Sequence, residues 1–120
     1  MSARRSSAAT RTGLRGSAPL FAALGDETRL RLVARLCEGG PQSITSLTIG
    51  SKVTRQAVSK HLRVLRGAGL VRDIRRGRES RWEVAPQRLE IARRYLASIS
   101  ERWNERLEAL RKHVEEPQQR

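Results

Sequence analysis

Residues 54–65, Thr54-Arg55-Gln56-Ala57-Val58-Ser59-Lys60-His61-Leu62-Arg63-Val64-Leu65, decide how this 120-residue chain is read. At about 100° per residue, Val58, Leu62 and Leu65 share one narrow stripe, while Gln56, Ser59, Lys60 and Arg63 fall on the far side. Thr54 is placed to cap the helix, its hydroxyl taking an orphan amide of the first turn. Gly67-Ala68-Gly69 ends it, because glycine tolerates the left-handed cap conformation. The free face carries side chains suited to base edges in a major groove: Arg for the guanine acceptors, Gln for adenine, Ser for a base or a phosphate. A solvated helix with ordinary charges is the plainer alternative.

Upstream, Pro19 suits the first turn of a short helix through Leu24, stopped by Gly25. Asp26 then caps a second helix from Glu27 to Leu36 or Cys37, with Leu30, Val33, Leu36 and Cys37 expected on its inner side. Gly39-Gly40-Pro41 breaks that helix. A helix of barely two turns comes next, from Ser46 to about Ser51, in which Leu47 and Ile49 are the apolar residues. Two short helices in tight succession, the second basic on its free face, form a helix-turn-helix.

Downstream, Leu70 to Ile74 and Ser80 to Val84 are rich in β-formers, and Arg75-Arg76-Gly77-Arg78-Glu79 lies between them as a hairpin tip. A glycine flanked by arginines suits a projecting finger that touches phosphate or a narrow minor groove; a merely soluble turn is the other reading. From Pro86 or Gln87 onward one long helix is expected. Leu89, Ala92, Leu96, Ile99, Trp103, Leu107, Leu110 and Val114 hold a single stripe, and leaving it bare would forfeit on the order of 10 kcal/mol. Part can pack on the chain's own first helix. A twin across a two-fold axis is expected to cover the remainder, which also supplies two reading helices for a palindromic site; folding wholly onto the chain's own domain is the alternative. The fold expected is therefore mostly α: a winged helix-turn-helix with a two-stranded β-hairpin wing and a long C-terminal dimerisation helix.

Charge supports this assignment. The chain has 25 Lys and Arg against 12 Asp and Glu, a net +13 suited to a polyanionic partner. Residues 52–81 hold ten basic and two acidic side chains, whereas residues 17–51 hold three of each. The excess thus sits on the groove-reading helix and the hairpin after it. No apolar face rich in Trp or Phe accompanies the basic block, which argues against a membrane surface, and no run of about 18 apolar residues is present to span one. Residues 1–16, with four Arg and no acid, are expected to form a disordered basic arm adding nonspecific phosphate attraction, an over-extended start site being the other reading. Residues 17–115 are expected to form the DNA-binding and dimerisation domain, and 116–120 a short tail. Cys37, the only cysteine, cannot form an internal disulfide, which suits a reducing cytoplasm. Only four residues are aromatic (Phe21, Trp82, Tyr95, Trp103), so the core is small and dimerisation a natural supplement.

The residues from 18 to about 115 resemble the ArsR-type winged helix-turn-helix repressors of bacteria and archaea. The resemblance rests on Phe21-Ala22-Ala23-Leu24-Gly25-Asp26-Glu27-Thr28-Arg29, on Val53 to Leu65 with Ser59-x-His61-Leu62 inside it, and on Ala68-Gly69-Leu70-Val71. The block from Arg93 to Val114, with Trp103, is similar to a subgroup often encoded beside START-like lipid-binding-fold proteins, although Asn104 stands where that subgroup tends to carry Asp. The resemblance implies a homodimer held by the first and last helices. It also implies an effector-relieved or autoregulated repressor of its own or a neighbouring promoter. Carried over by position, Thr54, Arg55, Gln56, Ser59, Lys60 and Arg63 face double-stranded DNA, with Arg76 and Arg78 near the wing tip. His61 is assigned to the same DNA-binding set, with phosphate contact and packing support both open. A nonspecific architectural nucleic-acid binder and a protein-interaction module using the last helix are the alternatives.

Many relatives sense metals, and this chain lacks the ligands at both of the positions they use. Ser46-Leu47-Thr48-Ile49 occupies the stretch where a Cys-x-Cys pair is needed. His113-x-x-Glu116 could supply half of a site on the last helix, but Ser100 and Arg102 stand where its Asp and His belong. Two His and one distant Cys do not reach the three or four ligands that Zn²⁺ requires, so neither a metal nor another cofactor is expected. His113 is read as a partner of its helix C-terminus and Cys37 as a small buried hydrophobe. No nucleophile-base pair, paired carboxylates or Gly-rich phosphate loop emerges, so catalysis is not expected.

Overall fold

A computed structural model describes residues 14–115. The expectations for residues 1–13 and 116–120, including most of the basic arm and the tail, lie outside the described residues. The elements run α1 (14–24), α2 (Glu27–Gly39), α3 (Ile44–Thr48), α4 (Arg55–Gly67), β1 (Val71–Arg76), β2 (Glu79–Val84) and α5 (Pro86–Glu115). This is the winged helix-turn-helix expected from the sequence, mostly helical with one hairpin.

The core forms where α1, α2, α3, α4 and the base of the hairpin converge. Leu20, Leu36, Leu47, Val58, Leu62, Leu65, Leu70 and Val71 are almost wholly enclosed there. Each is worth about 1.5–3 kcal/mol over an exposed position, so α4's three-residue stripe is its principal anchor.

Several local expectations are corrected. Helix α1 already includes residues 14–18 and carries Pro19 within it; Ser17, Leu20 and Ala23, buried at three-residue intervals, hold the helix through the proline. In α2 the inward residues are Leu32, Val33 and Leu36, while Leu30 is 54% exposed and Cys37 is exposed. The expected stripe 30-33-36-37 and the observed 32-33-36 share Val33 and Leu36 and lie less than a quarter turn apart, and the placement of α4 and β2 decides between them. Helix α3 begins at Ile44, two residues early, because the Ser43 hydroxyl accepts from Ser46 N at 3.1 Å; it ends before Ile49, which is 70% exposed.

The hairpin is tighter than expected. Pairing runs from Val71↔Val84 to Arg76↔Glu79, leaving the two-residue turn Gly77-Arg78. Gly77 has φ 64°, and positive φ at only the first turn residue is the type II′ combination that matches strand twist. A third, one-residue strand joins at Gln42, whose N–H donates to Trp82 O at 3.0 Å and whose carbonyl accepts from Trp82 N at 2.8 Å.

Helix α5 is 30 residues long, about 45 Å at 1.5 Å per residue, and opens on Pro86, whose ring suits a first helical position. Ala92 is buried and Tyr95 meets Phe21 of α1 with ring centroids 6.2 Å apart. Beyond that point Leu96, Ile99, Trp103, Leu107, Leu110 and Val114 are all exposed in the single chain, 41% to 75%.

Candidate nucleic-acid interface

Helix α4 starts as its sequence requires. Thr54 adopts extended geometry and its hydroxyl accepts from Ala57 N at 3.1 Å, a cap worth about 1 kcal/mol. With Val58, Leu62 and Leu65 fully enclosed, the other face is turned outward: Thr54, Arg55, Gln56, Lys60 and Arg63 are exposed and Ser59 half-exposed. Arg63 makes only a long contact to Ser59 O, 3.5 Å, one turn back.

His61 is set apart from that group. Its side chain is 23% exposed, and Nδ1 lies 3.8 Å from Asp26 Oδ2 and 3.4 Å from Arg29 Nη1. Asp26 caps α2, its carboxylate accepting from Arg29 N at 3.0 Å, and that hydrogen bond, with His61 and the Arg29 guanidinium nearby, holds the carboxyl below its usual range. The ring therefore ties the reading helix to the start of α2, which favours packing support among the two roles left open for it.

Two further arginines serve the scaffold. Arg29 donates from Nε to Ala23 O at 2.6 Å, satisfying a carbonyl at the end of α1. Arg35 donates from Nη1 to Leu47 O at 2.6 Å and from Nη2 to Ser46 O at 3.0 Å, closing the end of α3 and fixing it against α2. These roles were not read from the sequence, where both arginines look like surface cations. The Gly25-Asp26-x-x-Arg29 spacing is the only local hint, and Arg35 has none.

The wing is joined to the reading helix at its C-terminal end. Arg66 pairs with Asp73 of β1 at 3.3 Å and lies over the buried Trp82 of β2, 5.5 Å from the ring centroid. Arg72 pairs with Glu83, and Arg81 with Glu79 at 3.5 Å. Among the described residues Lys52, Arg55, Lys60, Arg63, Arg75, Arg76 and Arg78 have no carboxylate partner, and all seven are exposed. Lys52, shortly before α4, joins this set from the structure alone. The basic excess of residues 52–81 thus divides: arginines 66, 72 and 81 brace the wing, and the seven others are free for an external polyanion.

An exposed, capped helix with a basic polar face, packed on a preceding short helix and followed by an arginine-tipped hairpin, defines a winged helix-turn-helix DNA-binding domain. A helix-turn-helix domain model matches residues 24–74. The chain is 42% identical over 65 residues to the uncharacterized HTH-type transcriptional regulator YuzN of Bacillus subtilis, spanning 49% of this chain and 71% of that one. It is 34% identical over 67 residues to the arsenical resistance operon repressor of Escherichia coli, covering 56% of this chain and 57% of the repressor. Among solved structures it is similar to an ArsR-like transcriptional regulator from Rhodococcus sp. RHA1, with TM-score 0.70 and 38% identity over 86% of this chain and 95% of that one. The chain belongs to the ArsR family of DNA-binding transcriptional regulators. No described helix is long and apolar enough to cross a membrane.

Proposed function

We propose that the chain is a homodimeric, sequence-specific repressor acting at its own or a neighbouring promoter. Arg55, Gln56, Ser59, Lys60 and Arg63 read base edges in the major groove, with Thr54 presenting the first turn to a phosphate. Arg76 and Arg78 reach backbone or minor groove from the wing. His61 positions α4 from behind.

The observation that carries this reading is the pairing of two unsatisfied surfaces in one chain. On the reading face Arg55, Lys60 and Arg63 are exposed with no carboxylate partner among the described residues, and the α5 stripe from Leu96 to Val114 is exposed in the single chain. A second copy on that stripe covers it and doubles the reading helix, which suits a pseudo-palindromic site with half-sites about one helical turn apart. Footprinting on DNA upstream of the gene tests it. A bounded, two-fold protected segment supports the proposal; protection spread evenly along the duplex would show that the protein coats DNA without reading it.

A further inference from the structure

A cleft beside the reading helix is lined by three arginines, all of them exposed. Arg15 of α1, Arg66 in the last turn of α4 and Arg88 in the first turn of α5 line a space of about 260 Å³, together with Leu20 and Gly69. All three carry positive charge, and no carboxylate is among the residues lining the cleft. Among the described residues Arg15 and Arg88 make no ion pair or side-chain hydrogen bond, and Asp73 is the sole carboxylate on Arg66.

Nor are these cations there for the helices. The carbonyls of Val64, Leu65 and Arg66 at the end of α4 already accept from Ala68, Leu70 and Gly69 amides. Arg88 stands in a first turn, where the helix dipole disfavours a cation. Yet its stem is fitted closely: Gly69 has φ 79°, and a Cβ there would lie 3.0 Å from Arg88 Cγ. Gly69 takes the left-handed cap position after α4, and its bare backbone leaves room for the Arg88 stem.

We propose that this cleft binds a small oxyanion, a phosphate or carboxylate group, held by Arg15, Arg66 and Arg88. Because Arg66 also pairs with Asp73 and covers Trp82, an anion there competes with Asp73 and alters the junction between reading helix and wing. The cleft is thereby an effector site. This regulatory half rests on the repressor reading; the binding half does not.

Calorimetric titration of pyrophosphate into the full chain without DNA, at constant ionic strength, tests the site. One saturable site per chain is expected, weakened roughly tenfold or more by Arg88→Ala or Arg15→Ala, as for loss of one charge-assisted contact, and unchanged by Arg31→Ala on the exposed face of α2. No saturable binding, or equal weakening by all three substitutions, overturns the proposal. Affinity for upstream DNA separates the sources of the anion. If the anion is free in solution, pyrophosphate shifts the wild-type Kd and no longer shifts that of Arg88→Ala. If it is a DNA phosphate, Arg88→Ala itself weakens binding and lowers the salt slope by about one. A variant that does neither, though it has lost pyrophosphate, overturns the link to DNA.

Discussion

Gln42 and Trp82 exchange both of their backbone hydrogen bonds, at 3.0 and 2.8 Å, across 40 positions of sequence. The same glutamine donates from Nε2 to Arg35 O at 2.9 Å and accepts from the Ser46 hydroxyl at 3.2 Å. One residue thus ties the wing to the end of α2 and the start of α3, so the hairpin is positioned by the helix-turn-helix it serves.

Gly39 exposes that tie to a double-mutant test. A Cβ at Gly39 would stand 2.6 Å from Gln42 Nε2 and displace the amide. Gly39→Ala is expected to destabilise the wild-type chain by about 1 kcal/mol through the lost hydrogen bonds. In a Gln42→Ala background the same change has nothing to strike and gains helix propensity, stabilising by up to about 1 kcal/mol. Denaturant unfolding of the four proteins measures the cycle; equal effects in both backgrounds would contradict it.

The α5 stripe predicts a separable assembly defect. Leu110 is 58% exposed in the single chain, so Leu110→Glu leaves the monomer fold within about 0.5 kcal/mol while placing a charge in the proposed dimer seam. Sedimentation should show monomers, with a matching loss of operator affinity. A variant that still sediments as a dimer would remove α5 from the interface.

The reading face predicts a split between DNAs. Gln56→Ala and Arg63→Ala should each lose about 1–3 kcal/mol on the cognate site and little on random DNA, whereas Arg78→Ala should weaken both evenly. His61→Ala should lower stability first and leave sequence preference intact, since its ring faces Asp26 and Arg29. Competition binding with paired duplexes reads each case.

Acid stability should carry the signature of Glu90. Hydrogen bonds from Arg93 at 2.8 and 2.6 Å, aided by Arg94, hold its carboxyl at about 2 against an ordinary 4.5. A folded value below the unfolded one means the contribution is complete above about 4.5 and is lost as pH falls toward about 2. Thermal melts of Glu90→Gln should show a shallower acid limb across that window and little change in shape above it. An unchanged acid limb would show that the pair does not persist in solution.

What was legible in the sequence was local. The span and cap of α4, its enclosed stripe, the hairpin and the length of α5 are set by residues within a turn or two of one another. The inward face of α2 was not, because overlapping stripes through Val33 are told apart only by what packs against them. Arg29, Arg35 and Gln42 were missed for a related reason: each satisfies backbone groups of another element, and nothing in their neighbours marks an arginine bound to carbonyls from one left to solvent. His61 had two open roles in the sequence, and only the fold brings Asp26 and Arg29 beside its ring.

Sequence reading by α4 is measured by fluorescence anisotropy. The purified chain is titrated onto DNA from its own upstream region and onto a shuffled duplex of equal length, at about 150 mM salt, where nonspecific Kd values are typically about 10⁻⁴–10⁻⁶ M. A preference of roughly a thousandfold or more for its own DNA is expected, with a log–log salt slope of about −7 if a dimer neutralises about eight phosphates. Equal, weak and salt-sensitive binding to both duplexes would contradict repression of its own promoter, and the same result across a genome-wide selection would contradict base reading by α4 altogether.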